Sequence, residues 1–222
     1  MDFIPYDARL AVRVAWLDPG LEAALRLLGA WHAHRSPALP IFAATEFENL
    51  GFDMFGLRGH LERAGLHPAE LVKLHGPGGD TLWWTPTRCD EASLRPRLSD
   101  TWQVTFRASP RGWIGTASDA AIFPFDILLP RNGAIVLAPR GRAGRIQAWL
   151  GKHRPLGATA SGPGERLAQL RPAPLRAAFR SDGLLTATST ADPSTASAPP
   201  SERASTLRIG RDGLEFNGRL VL

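Results

Sequence analysis

TWQVTFRASPRGWIGTAS (101–118) and FDILLPRNGAIVLAP (125–139) decide the fold. In the first stretch Trp102, Val104 and Phe106 alternate with Gln103, Thr105 and Arg107, the two-residue period of a half-buried strand. Pro110, Arg111 and Gly112 supply a turn, and Trp113 to Ser118 the return strand. In the second stretch Asn132-Gly133 separates two apolar runs. Both central residues of a tight hairpin turn need positive φ, so this pair is a strong hairpin signal. The middle of the chain therefore reads as an antiparallel meander.

Outward from the meander the pattern turns helical. Ile146, Trp149 and Leu150 share a face over about 142–151, with Arg142, Arg145 and Lys152 opposite. A further helical stretch over 164–179 is interrupted by Pro172 and Pro174. Toward the N-terminus, RLAVRVAW (9–16) reads as a strand. Asp18 then caps a helix over 19–34, carried by Pro19, Leu21, Leu25, Leu28 and His32. Thr45 and Glu48 form a capping box. Asp53 precedes Met54, Leu57, Leu61 and Ala64 at helical spacing, with Gly65 at the left-handed exit. Pro68 opens a short helix bearing Leu71, Val72 and Leu74. The expected class is α+β: N-terminal helices packed on an antiparallel meander, followed by a basic helix. The expected organisation is one domain over 1–182, helical in 1–80, mainly β in 81–140, and basic and helical in 141–182.

Residues 183–205 are rich in Ser, Thr, Ala and Pro and hold no aromatic side chain, so they read as a disordered linker. Beyond them, 206–222 (TLRIGRDGLEFNGRLVL) reads as a β-hairpin turning at Asp212-Gly213. A lone hairpin is marginal. Its apolar positions must therefore add to a sheet edge, in this chain or in a partner.

The chain has 222 residues, 44% of them hydrophobic and 21% charged, values of a globular protein. It has one cysteine, Cys89, which excludes an internal disulfide and an all-cysteine zinc site. With no apolar run of membrane-spanning length and no signal-peptide profile at Met1–Pro5, the expected location is cytoplasmic. Charge is uneven. Residues 1–100 carry 10 Lys+Arg against 13 Asp+Glu, residues 101–182 carry 12 against 4, and residues 183–222 carry 4 of each. The net charge of +5 thus originates in the middle segment.

Catalytic and cofactor motifs fail on their own chemistry. HLERAGLHPAELVKLHG (60–76) resembles a helix–turn–helix in spacing, yet its second half offers only Lys73 as a cation, too little for phosphate contact. Cys89 and Arg95 have the Cys-x5-Arg spacing of a phosphatase loop, but Asp90 and Glu91 would repel a phosphate. In GATASGPGE (157–165) a proline stands where a phosphate loop needs lysine. His60, His67 and His75, with Asp53 and Glu70, form the one local cluster of titratable groups. They carry the alternative reading of a hydrolase or nuclease. Their spacings lack the i, i+4 pairing of helical metal ligands. No metal and no cofactor are expected.

The arginines are the main functional signal. Arg131, Arg140, Arg142, Arg145, Lys152 and Arg154 predict a basic face, with Trp113 and Trp149 as aromatic neighbours. The functional expectation is a non-enzymatic binding or adaptor protein. Its basic face would take an acidic partner, nucleic acid or protein, and its C-terminal β segment would augment a sheet.

Overall fold

The computed structural model describes residues 4–26, 56–76, 79–118, 121, 123–131, 133–151, 163–180, 204–210 and 213–217, with side chains as far as Ala178. The chain is α+β. Among the described residues, ten strands form one sheet: β1 (Leu10–Ala15), β2 (Glu70–His75), β3 (Thr81–Pro86), β4 (Val104–Ser109), β5 (Gly112–Ala117), β6 (Phe125–Pro130), β7 (Ala134–Pro139), β8 (Leu175–Arg180), β9 (Ala204–Gly210) and β10 (Gly213–Asn217). Their spatial order is β10-β9-β8-β1-β2-β3-β7-β6-β5-β4. Every pairing is antiparallel. Two meanders, β1–β3 and β4–β7, thus lie side by side, joined at β3 and β7. The helices are α1 (Glu91–Trp102), α2 (Ala143–Leu150) and α3 (Pro163–Gln169), with further helical turns at 21–26 and 56–63.

Both faces of the sheet are covered. On one, Leu10, Val12, Leu71, Trp83, Ile127, Leu137 and Leu175 share a core with Leu94, Leu98 and Trp102 of α1 and with Leu57 and Leu61. On the other, Ala11, Val72, Leu74, Leu82, Leu128, Val136 and Ala178 meet Ile146 and Trp149 of α2 and Leu167 of α3. Successive strand residues alternate between these two cores, because the side-chain period of a strand is two.

This two-sided burial explains where the sequence reading departs from the structure. The helix expected at Leu71, Val72 and Leu74 is strand β2, so the segment 1–80 is not wholly helical. A strand buried on both faces shows a continuous apolar run, which periodicity does not separate from a short helix. Nor does a second helix follow Gly65, so the helix–turn–helix spacing has no structural counterpart. The stretch expected to be helical over 164–179 divides into α3 and strand β8, with Pro172 and Pro174 between them. The segment 141–182 is correspondingly not all helix. Helix α1 has no counterpart among the helices expected from the sequence, and Trp102 is its last residue rather than the start of a strand. The exit is made by Gln103 in the left-handed region (φ 53°), after which β4 begins.

Several local signals operate as the sequence implies. Asp18 accepts a hydrogen bond from the Gly20 amide at 2.7 Å. Gly65 and Gly133 take positive φ, 66° and 72°, at a helix exit and a hairpin turn. The rest of the helix expected over 19–34, and the capping box at Thr45 and Glu48, lie outside the described residues. So does the linker 183–205, apart from Ala204 and Ser205 in β9. Strand β9 pairs with β8 on one side and β10 on the other. Among the described residues no helix is long and apolar enough to cross a membrane.

Two glycines behave oppositely under substitution. Gly112 has φ 129°, and a β-carbon there would strike the Leu129 carbonyl. Gly144, in the first turn of α2, has nothing within 4 Å of such a carbon. Gly112→Ala should lower the unfolding free energy by about 1–3 kcal/mol. Gly144→Ala should raise it by up to about 1 kcal/mol. Urea denaturation of both variants checks the opposite signs.

Candidate functional site

Among the described residues, strand β4 is the terminal strand of the sheet and pairs only with β5. The amide of Ser118 donates to the Gln103 carbonyl at 3.2 Å, just beyond the β4–β5 ladder. That fixes the ladder's parity. Residues 105, 107 and 109 bond inward to β5, whereas the N–H and C=O groups of Val104, Phe106 and Ala108 face the open edge.

Helix α1 forms the wall beside this edge. Asp90 caps it, its carboxylate accepting from the Ser93 amide at 2.9 Å and from the Ser93 hydroxyl at 2.9 Å. Leu94, Leu98 and Trp102, four apart, are buried against the sheet. Trp102 stacks on Phe123 with ring centroids 4.0 Å apart and donates its indole N–H to the His60 carbonyl at 3.3 Å. The neighbouring stripe of α1 then lies beside β4. Ala92, Arg95, Pro96 and Ser99 from the helix, with Val104, Thr105 and Phe106 from the strand, line an open groove of about 480 Å³.

Three features order the groove. The Arg95 guanidinium lies 3.7 Å from the centroid of Trp113, whose indole N–H donates to Glu91 at 3.1 Å. Arg95 is thereby held by the face of the Trp113 ring, and among the described residues it has no carboxylate partner and its Nε no hydrogen-bond partner. Pro96 stands inside the helix and has no N–H for the Ala92 carbonyl. Gly115, opposite Phe106 on β5, leaves the space that the Phe106 ring occupies, because a β-carbon there would come 2.6 Å from that ring. Arg107, exposed on β4, makes no ion pair among the described residues.

The expected basic face is distributed differently. Arg131 is exposed in the β6–β7 turn, beside a separate pocket of about 270 Å³ that includes Cys89, Asp90 and Glu91. Arg140, beyond the opposite end of β7, donates to the carbonyls of Ala121 and Phe123. Six strand residues separate these ends, about 20 Å at strand rise. Arg142 and Arg145 do come together, but over Asp80, at 3.9 Å and 2.7 Å. Asp80 is only 7% exposed, so this contact fastens α2 to the β2–β3 connection. Lys152 and Arg154 lie outside the described residues. Trp149 is buried and donates to Asp7 at 2.7 Å, a packing role rather than a surface platform. Trp113 stands beside Arg95, a residue that sequence reasoning considered only in its spacing from Cys89.

The histidines stand in three settings. His60, on the helical turns 56–63, packs edge-on against Phe123 at 5.3 Å, with Nδ1 2.8 Å from Arg63. Burial, with help from Arg63, lowers its pKa. His67 is exposed in the following turn. His75 is buried at the end of β2, with Nδ1 3.1 Å from the Thr81 hydroxyl. Asp53 lies outside the described residues. Among the described residues, no group of three or more His, Cys, Asp or Glu side chains is placed to hold a metal ion.

Searches against protein families, curated proteins and solved structures found no significant match to this chain.

The Asp90 cap links the groove wall to pH. Hydrogen bonds from Ser93 hold the carboxyl below its ordinary pKa. A depressed carboxyl pKa stabilises the fold above its unfolded-state value, and the contribution disappears as pH falls through the folded-state value. Asp90→Asn should therefore flatten the loss of stability below about pH 4, read as unfolding midpoints across an acid series.

Proposed function

We propose that this chain is a non-enzymatic binding protein that takes an extended, acidic segment of a partner protein along β4. The observation that carries the reading is the open β4 edge, where the backbone groups of Val104, Phe106 and Ala108 face away from β5. An added strand would pair with those groups, and its alternate side chains would meet the α1 groove and the opposite face. Main-chain pairing supplies affinity without regard to sequence. Selection comes from Arg95 on the groove side and Arg107 on the other, both suited to carboxylates.

This reading keeps the acidic partner of the sequence analysis but moves its contact from the dispersed arginines 131–154 to the β4 edge. A nucleic acid would require a continuous cationic track. Arg142 and Arg145 are engaged with Asp80, and Arg131 is at the far end of β7. Strand addition is therefore favoured over groove or phosphate-backbone recognition. A small interface of this kind belongs to the weak, transient class, with a dissociation constant on the order of micromolar.

The test uses labelled peptides of about eight residues, repeating Glu-Glu-Val-Val or Lys-Lys-Val-Val so that charges face both sides of the added strand, read by fluorescence anisotropy, a length set by the usual strand size. The Glu peptide should bind and the Lys peptide should not. Added salt, Arg95→Ala and Arg107→Ala should each weaken binding several-fold. Ala108→Pro removes one outward N–H while sparing the ladder to β5, so it should abolish binding and leave the fold intact. Failure of the Glu peptide to bind the wild-type protein, or unchanged binding to a folded Ala108→Pro variant, would refute the reading.

A further inference from the structure

The groove between α1 and β4 has two chemically different ends. Its first end is set by Trp113, which stands directly opposite Ala108 on β5 and carries the Arg95 guanidinium over its ring. That end is open, because Ala108 is exposed and has only a methyl group. Among the described residues that line the groove, Arg95 is the one charged side chain. Glu91, one helical turn earlier, is engaged with the Trp113 indole N–H.

The second end is apolar. Val104 and Phe106 lie on the α1 side of the sheet with Trp113 and Ala117, and both lean over Gly115. A β-carbon at 115 would come 2.5 Å from a Val104 methyl and 2.6 Å from the Phe106 ring. Gly115 is not among the glycines of positive φ, so what it contributes is space rather than backbone freedom. A side chain there would drive Val104 and Phe106 outward, into the groove that Ala92, Pro96 and Ser99 wall from the helix.

Ladder parity converts these two ends into a sequence order. An antiparallel strand added to the edge pairs its residues directly with Val104, Phe106 and Ala108, and directly paired residues share a face. Antiparallel pairing is the stronger arrangement per residue, and every pairing in this sheet is of that kind. Such a partner runs from Ala108 toward Val104, so it meets Arg95 first. We infer that the groove, resting on the strand addition proposed above, selects an acidic residue followed two positions later by a branched aliphatic one. Arg95 takes the carboxylate. The aliphatic side chain lies beside Phe106, in room that Gly115 keeps open; Gly115 is thus a positioning residue that touches no partner atom.

The experiment compares labelled, end-capped peptides of one composition and opposite order, Thr-Glu-Thr-Val-Thr-Val-Thr and Thr-Val-Thr-Val-Thr-Glu-Thr, by fluorescence anisotropy. The acid-first peptide should bind several-fold more tightly. Within it, changing the first Val to Ala should weaken binding by up to about tenfold, the worth of two methyl groups largely buried. Changing Glu to Gln should weaken it several-fold. Arg95→Gln should erase the Glu preference and keep the Val preference, whereas Gly115→Ala should do the reverse. If Gly115→Ala does not fold, Ser99→Leu fills the same space from the helix and should likewise erase the Val preference. Equal binding of the two orders, an acid-last preference, or a Val preference unchanged in a folded Gly115→Ala or Ser99→Leu variant overturns the inference. Strand addition itself survives those results if the Glu-Glu-Val-Val repeat still binds, and loss of binding by that repeat removes both.

Discussion

Burial of one antiparallel sheet on both of its faces is the constraint on which the rest of this structure depends. Every interior strand must present apolar side chains alternately up and down, and helices must close over each side. Helix α1 and the turns at 21–26 and 56–63 cover one face, α2 and α3 the other. With the faces occupied, the parts of the sheet left for other molecules are its edges and the polar positions that interrupt its cores. The β4 edge is a remainder of the first kind.

The polar interruptions have distinct roles. Asp80 draws Arg142 and Arg145 onto α2. Asp126, 3% exposed, accepts from the Gly141 amide at 2.8 Å and fixes the turn from β7 into α2. Lys73 is buried with its ammonium 5.4 Å from the Trp83 ring centroid. Each of these groups faces a complementary one, as buried polar groups must. Arg176 meets a carbonyl with one nitrogen and an arginine with its side, which sets it apart.

The meander was legible because its information is local. The alternation in 101–109, the Pro110–Gly112 turn and the glycine at 133 place β4 to β7 with little tertiary information. What the sequence obscured lies where tertiary burial overrides local pattern. Leu71, Val72 and Leu74 make one unbroken apolar run because they serve two cores at once. In α1, Pro96 masks a helix that Asp90, Ser93, Leu94 and Leu98 would otherwise announce. The β4 groove inherited that omission: without α1, Arg95 had no reason to be read beside Trp113. Charge counting along the chain identified an excess of arginine but not its placement, since Arg131 and Arg140 are close in sequence and at opposite ends of a strand.

The central claim is that β4 presents unpaired backbone groups for an incoming strand, and residue-resolved amide hydrogen exchange tests it most directly. In the free protein the amides of Arg107 and Ser109 should be protected, while those of Phe106 and Ala108 exchange rapidly. Addition of an acidic extended peptide should then slow Phe106 and Ala108 selectively. Strong protection of all four amides in the free protein would mean that the edge is already covered. No change at Phe106 and Ala108 with saturating bound peptide would contradict strand addition.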